Sequence, residues 1–232
     1  MNKPDDSVFS RVNKELALTL GVSRREADDL IAKKRVKINE QTARLGDRVS
    51  QEDNIFVDGK KISRAQKLTY ILVNKPAGYV CSRKQQGDNP TIYSILPKKF
   101  HHLKTVGRLD KNSSGLILMT NDGDFNYKMT HPKFYKIKKY QVKLDKDLEP
   151  LHQQMINDYG ITLEDGPSKL TLERADDKGR RDWNVIMHEG RNRQIRRTFK
   201  ALGYEVIRLN RTDFGNYALG DIKPGEFMEV NL

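Results

Sequence analysis

Two short blocks hold residue types that could do chemistry. The first is Gly107-Arg108-Leu109-Asp110-Lys111-Asn112-Ser113-Ser114-Gly115. It sets one carboxylate in a run of small polar residues that leads into the apolar run Leu116-Ile117-Leu118-Met119. A loop carboxylate held by a rigid strand suits a nucleophile or a general base. Asp, Asn and Ser are also ordinary turn residues, so the block by itself leaves a plain turn open. The second block is Glu189-Gly190-Arg191-Asn192-Arg193-Gln194-Ile195-Arg196-Arg197. Ile195, Phe199 and Leu202 share one face of a helix, so this segment packs. From Glu189 to Arg211 seven Lys/Arg face two Glu, a net of +5. The helix dipole favours acids at the first turn, not arginines. The cations therefore point to an anion from outside or to an acidic partner in the fold; a solvated basic face is the third reading.

The surrounding pattern supplies elements to hold these blocks. Tyr70-Ile71-Leu72-Val73 reads as a short buried strand, followed by turn chemistry in Asn74-Lys75-Pro76-Ala77-Gly78. Lys75 and Pro76 read as shapers of that turn. Asn121-Asp122-Gly123 closes the Leu116 run. Tyr140, Val142 and Leu144 alternate with Gln141 and Lys143, as in a half-buried strand. Val185-Ile186-Met187 and Val206-Ile207 continue the strand pattern. The expected class is α+β, with a mixed, mainly antiparallel sheet over residues 70–232. Cys81 follows a buried strand pattern and reads as an inert small hydrophobe. The five histidines show no zinc-ligand spacing, so no metal site is expected.

A different module precedes this. Residues 1–9 read as a polar end, 10–62 as a small basic domain and 61–69 as a linker. Val12, Leu16 and Leu20 form a helical stripe that Gly21 can end. Ser23-Arg24-Arg25-Glu26 is a capping box, and Ala27, Leu30 and Ile31 give the next helix its apolar face. Val36-Lys37-Ile38 and Ile55-Phe56-Val57 read as strands. Arg24, Arg25, Lys33, Lys34, Arg35 and Lys37 crowd the remaining surface; the charges alone fit a solvated face, and a folded basic face of this kind also suits phosphate contacts.

The whole chain fits a binder of polyanions. Its 232 residues suggest one or two domains, and 43 Lys/Arg against 31 Asp/Glu leave +12. No apolar run reaches the roughly 18 residues of a spanning helix. One cysteine excludes an internal disulfide framework. With no apolar signal core at the start, the expected compartment is the cytoplasm. Charge-driven membrane binding would need an amphipathic helix with exposed large apolar residues, and the apolar residues here are accounted for by cores.

Residues 10–62 resemble the small RNA-binding domain first described in ribosomal protein S4. The likeness rests on Arg11-Val12-Asn13-Lys14, Ser23-Arg24-Arg25-Glu26-Ala27 and Arg35-Val36-Lys37-Ile38-Asn39. The chain departs from that family's usual glycines at Lys34 and at Glu40. Residues 70–230 resemble the catalytic domain of RsuA/RluB-type pseudouridine synthases. The motifs are Leu72-Val73-Asn74-Lys75-Pro76-Ala77-Gly78-Tyr79-Val80, Gly107-Arg108-Leu109-Asp110 through Asn121-Asp122-Gly123-Asp124, Lys139-Tyr140, and Gly190-Arg191-Asn192-Arg193-Gln194-Ile195-Arg196-Arg197. Leu163-Glu164-Asp165-Gly166-Pro167 and Trp183-Asn184-Val185 resemble the large-subunit branch most.

The resemblance implies isomerisation of a uridine to pseudouridine in ribosomal RNA, without cofactor. Asp110 takes the place of the essential carboxylate. Tyr140 matches the active-site tyrosine, stacking on uracil and able to relay a proton. Arg196 matches the guanidinium that partners the carboxylate, while Arg193 stands where other branches often have His. Leu209 matches an apolar residue on the far side of the base. Arg108 matches the arginine near the gap left by the extruded nucleotide. The implied partner is ribosomal RNA or a pre-ribosomal particle, met by a monomer. The rival is a non-catalytic RNA-binding assembly factor that keeps the fold.

Overall fold

Ser23 does what its capping box predicts: its Oγ accepts from the Glu26 amide at 3.1 Å, and its own amide donates to Glu26 Oε2 at 2.7 Å. In the computed structural model, residues 9–63 and 68–231 are described, in two compact units, 1–68 and 69–232. The polar end up to residue 8 and linker residues 64–67 lie outside the described residues.

In the first unit, helix Val12–Leu20 ends at Gly21 in the left-handed conformation, φ 69°, and helix Arg24–Ala32 follows. Val12, Leu16, Ala27, Ile31, Val36 and Ile55 form its core. Leu20, expected on the packed stripe, is exposed, because the helix ends there. Val36–Ile38 and Ile55–Val57 pair antiparallel in a four-stranded sheet. Lys34, at the family's glycine position, has φ 56°. All six cations from Arg24 to Lys37 are exposed. Arg35 is also spoken for internally: its Nε and Nη2 donate to the Asp58 carboxylate at 2.7 and 2.5 Å.

The second unit is built on a nine-stranded sheet. Its main path runs Thr171–Arg174, Asp182–Met187, Lys138–Leu144, Val206–Phe214, Ser114–Thr120, Tyr70–Lys75, Phe227–Val230. Neighbours are antiparallel except where Val206–Phe214 meets Ser114–Thr120 in parallel, with Arg211 beside Gly115. The class is α+β. Ile71, Val73, Ile117 and Met119 enter one core, while Leu72, Leu116 and Leu118 enter a second on the other face. Packing on both faces is why these strands read as continuous apolar runs. Tyr140, Val142 and Leu144 are buried in alternation, as the spacing predicts.

The Asn121-Asp122-Gly123 turn starts a helix, Gly123–Thr130. Asp122 Oδ1 accepts from the amides of Asp124 and Phe125. The Tyr70 hydroxyl donates to Asp122 Oδ2 at 2.8 Å. Among the described residues no helix is long and apolar enough to cross a membrane. Nor does any cluster of three potential metal ligands occur among them.

Candidate active site

Asp110 lies on the loop between the Lys104–Val106 and Ser114–Thr120 strands, and its own carbonyl accepts from the Ser113 amide. A single ammonium anchors this loop. Lys75, fully buried, donates through Nζ to the carbonyls of Pro76 and Tyr79 at 2.8 Å and of Lys111 at 3.4 Å. Gly78 N also donates to Lys111 O. Thus Lys75 does more than shape a turn: it ties the motif after Asn74 to the residue after Asp110. Burial pushes its pKa down to about 8, while Cys81 and Asp110 pull it up. Cys81 lies in a bend, not a strand, and its Sγ accepts from the Leu109 amide at 3.5 Å. Burial raises its thiol pKa.

The arginine block is held from a distance. Arg191 donates to Asp165 Oδ1, and Arg197 donates to both Asp165 oxygens. Arg191 also donates to the carbonyls of Asp165, Gly166 and Pro167. Beneath them Gln194, Ser168 and Thr198 form a buried hydrogen-bond network. Hairpin Ile161–Ser168 is thereby clamped to the start of helix Gln194–Ala201. Of the three readings of this block, an acidic partner in the fold accounts for Arg191 and Arg197.

Arg193 precedes the helix in the left-handed conformation, φ 46°. Its Nη1 stands 4.0 Å from Asp110 Oδ2. The ion pair expected for Arg196 thus falls to Arg193. Arg196 donates instead to Val206 O at 2.6 Å and to Asn112 O at 2.8 Å. Burial, with the Arg193 charge added, lowers its pKa, and the Asp110 charge pulls it back up. Arg196 therefore lies within electrostatic reach of Asp110 while its hydrogen bonds tie the backbone of the Asp110 loop to the start of the Val206–Phe214 strand.

Asp110, Arg108, Tyr140, Arg193 and Leu209 line one cleft of about 340 Å³. Tyr140 and Leu209 are buried and Arg108 is exposed. The six cations of the first unit belong to the other body, and Arg196 is absent from the cleft lining. A carboxylate beside a guanidinium, with a tyrosine and a leucine in the walls, can take a planar base and present a nucleophile to it. Lys138 and Arg211 line the same cleft and were not singled out by sequence reasoning. The available signal was Arg211 itself, a cation on a strand whose Leu209 and Phe214 are buried.

Residues 69–201 match the family model described as RNA pseudouridylate synthase, and residues 10–55 match the S4 domain. An uncharacterized RNA pseudouridine synthase of Aquifex aeolicus is 33% identical over 224 residues, covering 95% of this chain and 92% of that protein. Ribosomal large subunit pseudouridine synthase B of Bacillus subtilis is 35% identical over 227 residues, covering 96% and 92%. Ribosomal small subunit pseudouridine synthase A of Pasteurella multocida is 35% identical over 230 residues, covering 95% and 96%. A crystal structure of a pseudouridylate synthase superposes with a TM-score of 0.68 at 32% identity, covering 95% of this chain and 96% of that one. The chain belongs to the RNA pseudouridylate synthase family, and it joins that catalytic fold to an S4 domain.

Proposed function

We propose that this chain isomerises one specific uridine of ribosomal RNA, with large-subunit RNA favoured as substrate. The observation that carries the reading is Asp110 in a cleft with Arg193, Tyr140 and Leu209. In this reaction the C1′–N1 glycosidic bond breaks, the uracil rotates, and a C1′–C5 bond forms. The hydrogen on C5 leaves as a proton, and nothing is oxidised or reduced. Asp110 supplies the nucleophilic or stabilising carboxylate. Arg193 and Arg196 hold positive charge near it. Tyr140 stacks on the base and relays a proton, and Leu209 closes the opposite side. Arg108, at the mouth, stands by the gap that the extruded nucleotide leaves. Extrusion costs a few kcal/mol, and stacking returns roughly 1–3 kcal/mol per base.

Residues 10–62 act as the RNA grip through Arg24, Arg25, Lys33, Lys34, Arg35 and Lys37, and residues 70–232 carry the chemistry. The protein works as a cytoplasmic monomer on ribosomal RNA or a pre-ribosomal particle. The relatives named above are named for both ribosomal subunits. The lean to the large subunit rests on Leu163–Pro167 and Trp183–Val185.

The test is a pseudouridine map of both ribosomal RNAs from cells with and without the protein. Loss of one large-subunit site is expected. Loss of a small-subunit site would overturn the subunit assignment. An unchanged map would leave the assembly-factor reading standing.

A further inference from the structure

Arg211 is a buried cation with an unfinished set of partners. The residue is 3% exposed. Nε donates to Leu116 O at 2.8 Å, while Nη2, also buried, has no hydrogen-bond partner among the described residues. A desolvated charge left in that state is costly. A second cation lies close by. Lys138 Nζ donates to Glu189 O at 3.0 Å. Burial first, and the Arg211 charge second, push its pKa down to about 8, with Glu189 pulling the other way. The two share one aromatic ring: Arg211 Cζ stands 4.7 Å from the Phe214 centroid and Lys138 Nζ 5.6 Å.

Neither cation is within ion-pair distance of a carboxylate among the described residues. Glu189 Oε1 accepts from Arg191 and Gln194 instead. The fold makes room for this arrangement, because a Cβ on Gly190 would stand 3.0 Å from Lys138 Nζ. Lys138, Arg211 and Phe214 all line the cleft that holds Asp110. Uracil and ribose are neutral, so the only anion an RNA substrate brings to this cleft is a backbone phosphate.

We propose that Lys138 and Arg211, over the ring of Phe214, form a phosphate subsite for the target nucleotide. The proposal rests on the reading of the cleft as a uridine site. The phosphate completes the hydrogen bonding of Arg211 and neutralises two cations that otherwise repel. It also fixes the ribose of the extruded uridine relative to Asp110. The phosphate on either the 5′ or the 3′ side of the nucleoside satisfies this chemistry.

The experiment is direct binding to the full-length protein. Uridine 5′-monophosphate, uridine 3′-monophosphate and uridine are titrated while the Arg211 Nε–Hε resonance is followed. At least one monophosphate should bind about tenfold or more tightly than uridine and shift that resonance. Which of the two does so identifies the phosphate. Lys138→Gln and Arg211→Gln should each reduce the advantage to below about threefold. If Arg211→Gln does not fold by thermal melting, Lys138→Gln decides. Equal affinities for uridine and both monophosphates would overturn the subsite, as would an undiminished advantage in folded variants. Turnover is not the readout, so the two readings separate. Phosphate binding without pseudouridine formation would remove the functional reading alone, and pseudouridine formation without phosphate preference would remove the subsite alone.

Discussion

Arg193 Nη1 and Asp110 Oδ2 stand 4.0 Å apart, a half-exposed pair reached from a left-handed backbone. Such a pair adds at most about 1 kcal/mol to stability. Its consequence belongs to the cleft, where it sets a positive charge beside the carboxylate before substrate arrives. Preset charge of this kind costs no reorganisation during reaction.

Asp110→Asn should keep RNA affinity and lose isomerisation by more than about a thousandfold, because volume is retained and the nucleophilic charge is not. Tritium release from carbon five of labelled ribosomal RNA, run beside filter binding, checks this. Near-normal turnover would falsify the role.

Arg193→Ala and Arg196→Ala should fail differently. The first should lower kcat with little change in melting temperature. The second removes the bonds to Val206 O and Asn112 O. It should cost stability by about 1–3 kcal/mol as well as turnover. Lys200→Ala, an exposed change on the same helix, should stay within about 0.5 kcal/mol. Urea unfolding of the three variants separates the cases; equal losses for both arginines would refute the division.

Gly115→Ala should be severely destabilising. The residue has φ 103°, and an added Cβ would stand 2.2 Å from Arg211 O and 2.6 Å from Arg211 N. Both partners are sheet backbone and cannot swing aside. A loss above about 4 kcal/mol, or failure to fold, is expected. A melting temperature within a few degrees of the parent would contradict the close approach.

Lys34→Gly tests the first unit. A left-handed backbone costs a non-glycine residue roughly 1–2 kcal/mol, and Lys34 has φ 56°. The substitution should stabilise the fold by up to about 1 kcal/mol. If Lys34 meets a phosphate, the slope of log affinity against log salt should fall by roughly 0.7–0.9. Melting and salt titration are measured on the same variant. An unchanged slope would remove Lys34 from the RNA grip.

Lys75 predicts a pH dependence. Its pKa is about 8 in the fold against 10.5 for the ordinary side chain. Between these values the unfolded chain holds a proton that the folded one has released, so stability rises with pH across the window. The gain is complete above 10.5 and lost as pH falls through about 8. Denaturant unfolding of the parent and of Lys75→Met between pH 7 and 10.5 should diverge with this sign. A parallel pair of curves would show that Lys75 keeps its proton.

Much of this was legible in sequence where the cause is local. The Ser23 cap needs only Glu26, and the burial of Tyr140 follows from alternation with Gln141 and Lys143. The Lys75 anchor was not legible, because its acceptors come from residues 76, 79 and 111. Nor was the choice between Arg193 and Arg196 beside Asp110. That depends on the left-handed turn at Arg193 and on a clamp from Asp165, nearly thirty residues upstream. Arg211 entered the sequence reading only as the last of seven cations in a +5 span, since only the sheet shows that its step of the strand is buried.

The parallel contact between Ser114–Thr120 and Val206–Phe214 has a kinetic consequence. It joins positions 96 apart, where Ser114 Oγ meets Asn210 Oδ1. Distant pairings carry a large loop-closure cost and form slowly. Asp110 and Gly115 lie on one side of that junction, Leu209 and Arg211 on the other. In refolding, hairpins such as Thr171–Arg174 with Asp182–Met187 can close earlier, and the cleft is completed only when the chain's far segments meet. Helical and strand signals should therefore recover ahead of catalytic competence, and a nascent chain released before residue 214 should lack the cleft altogether.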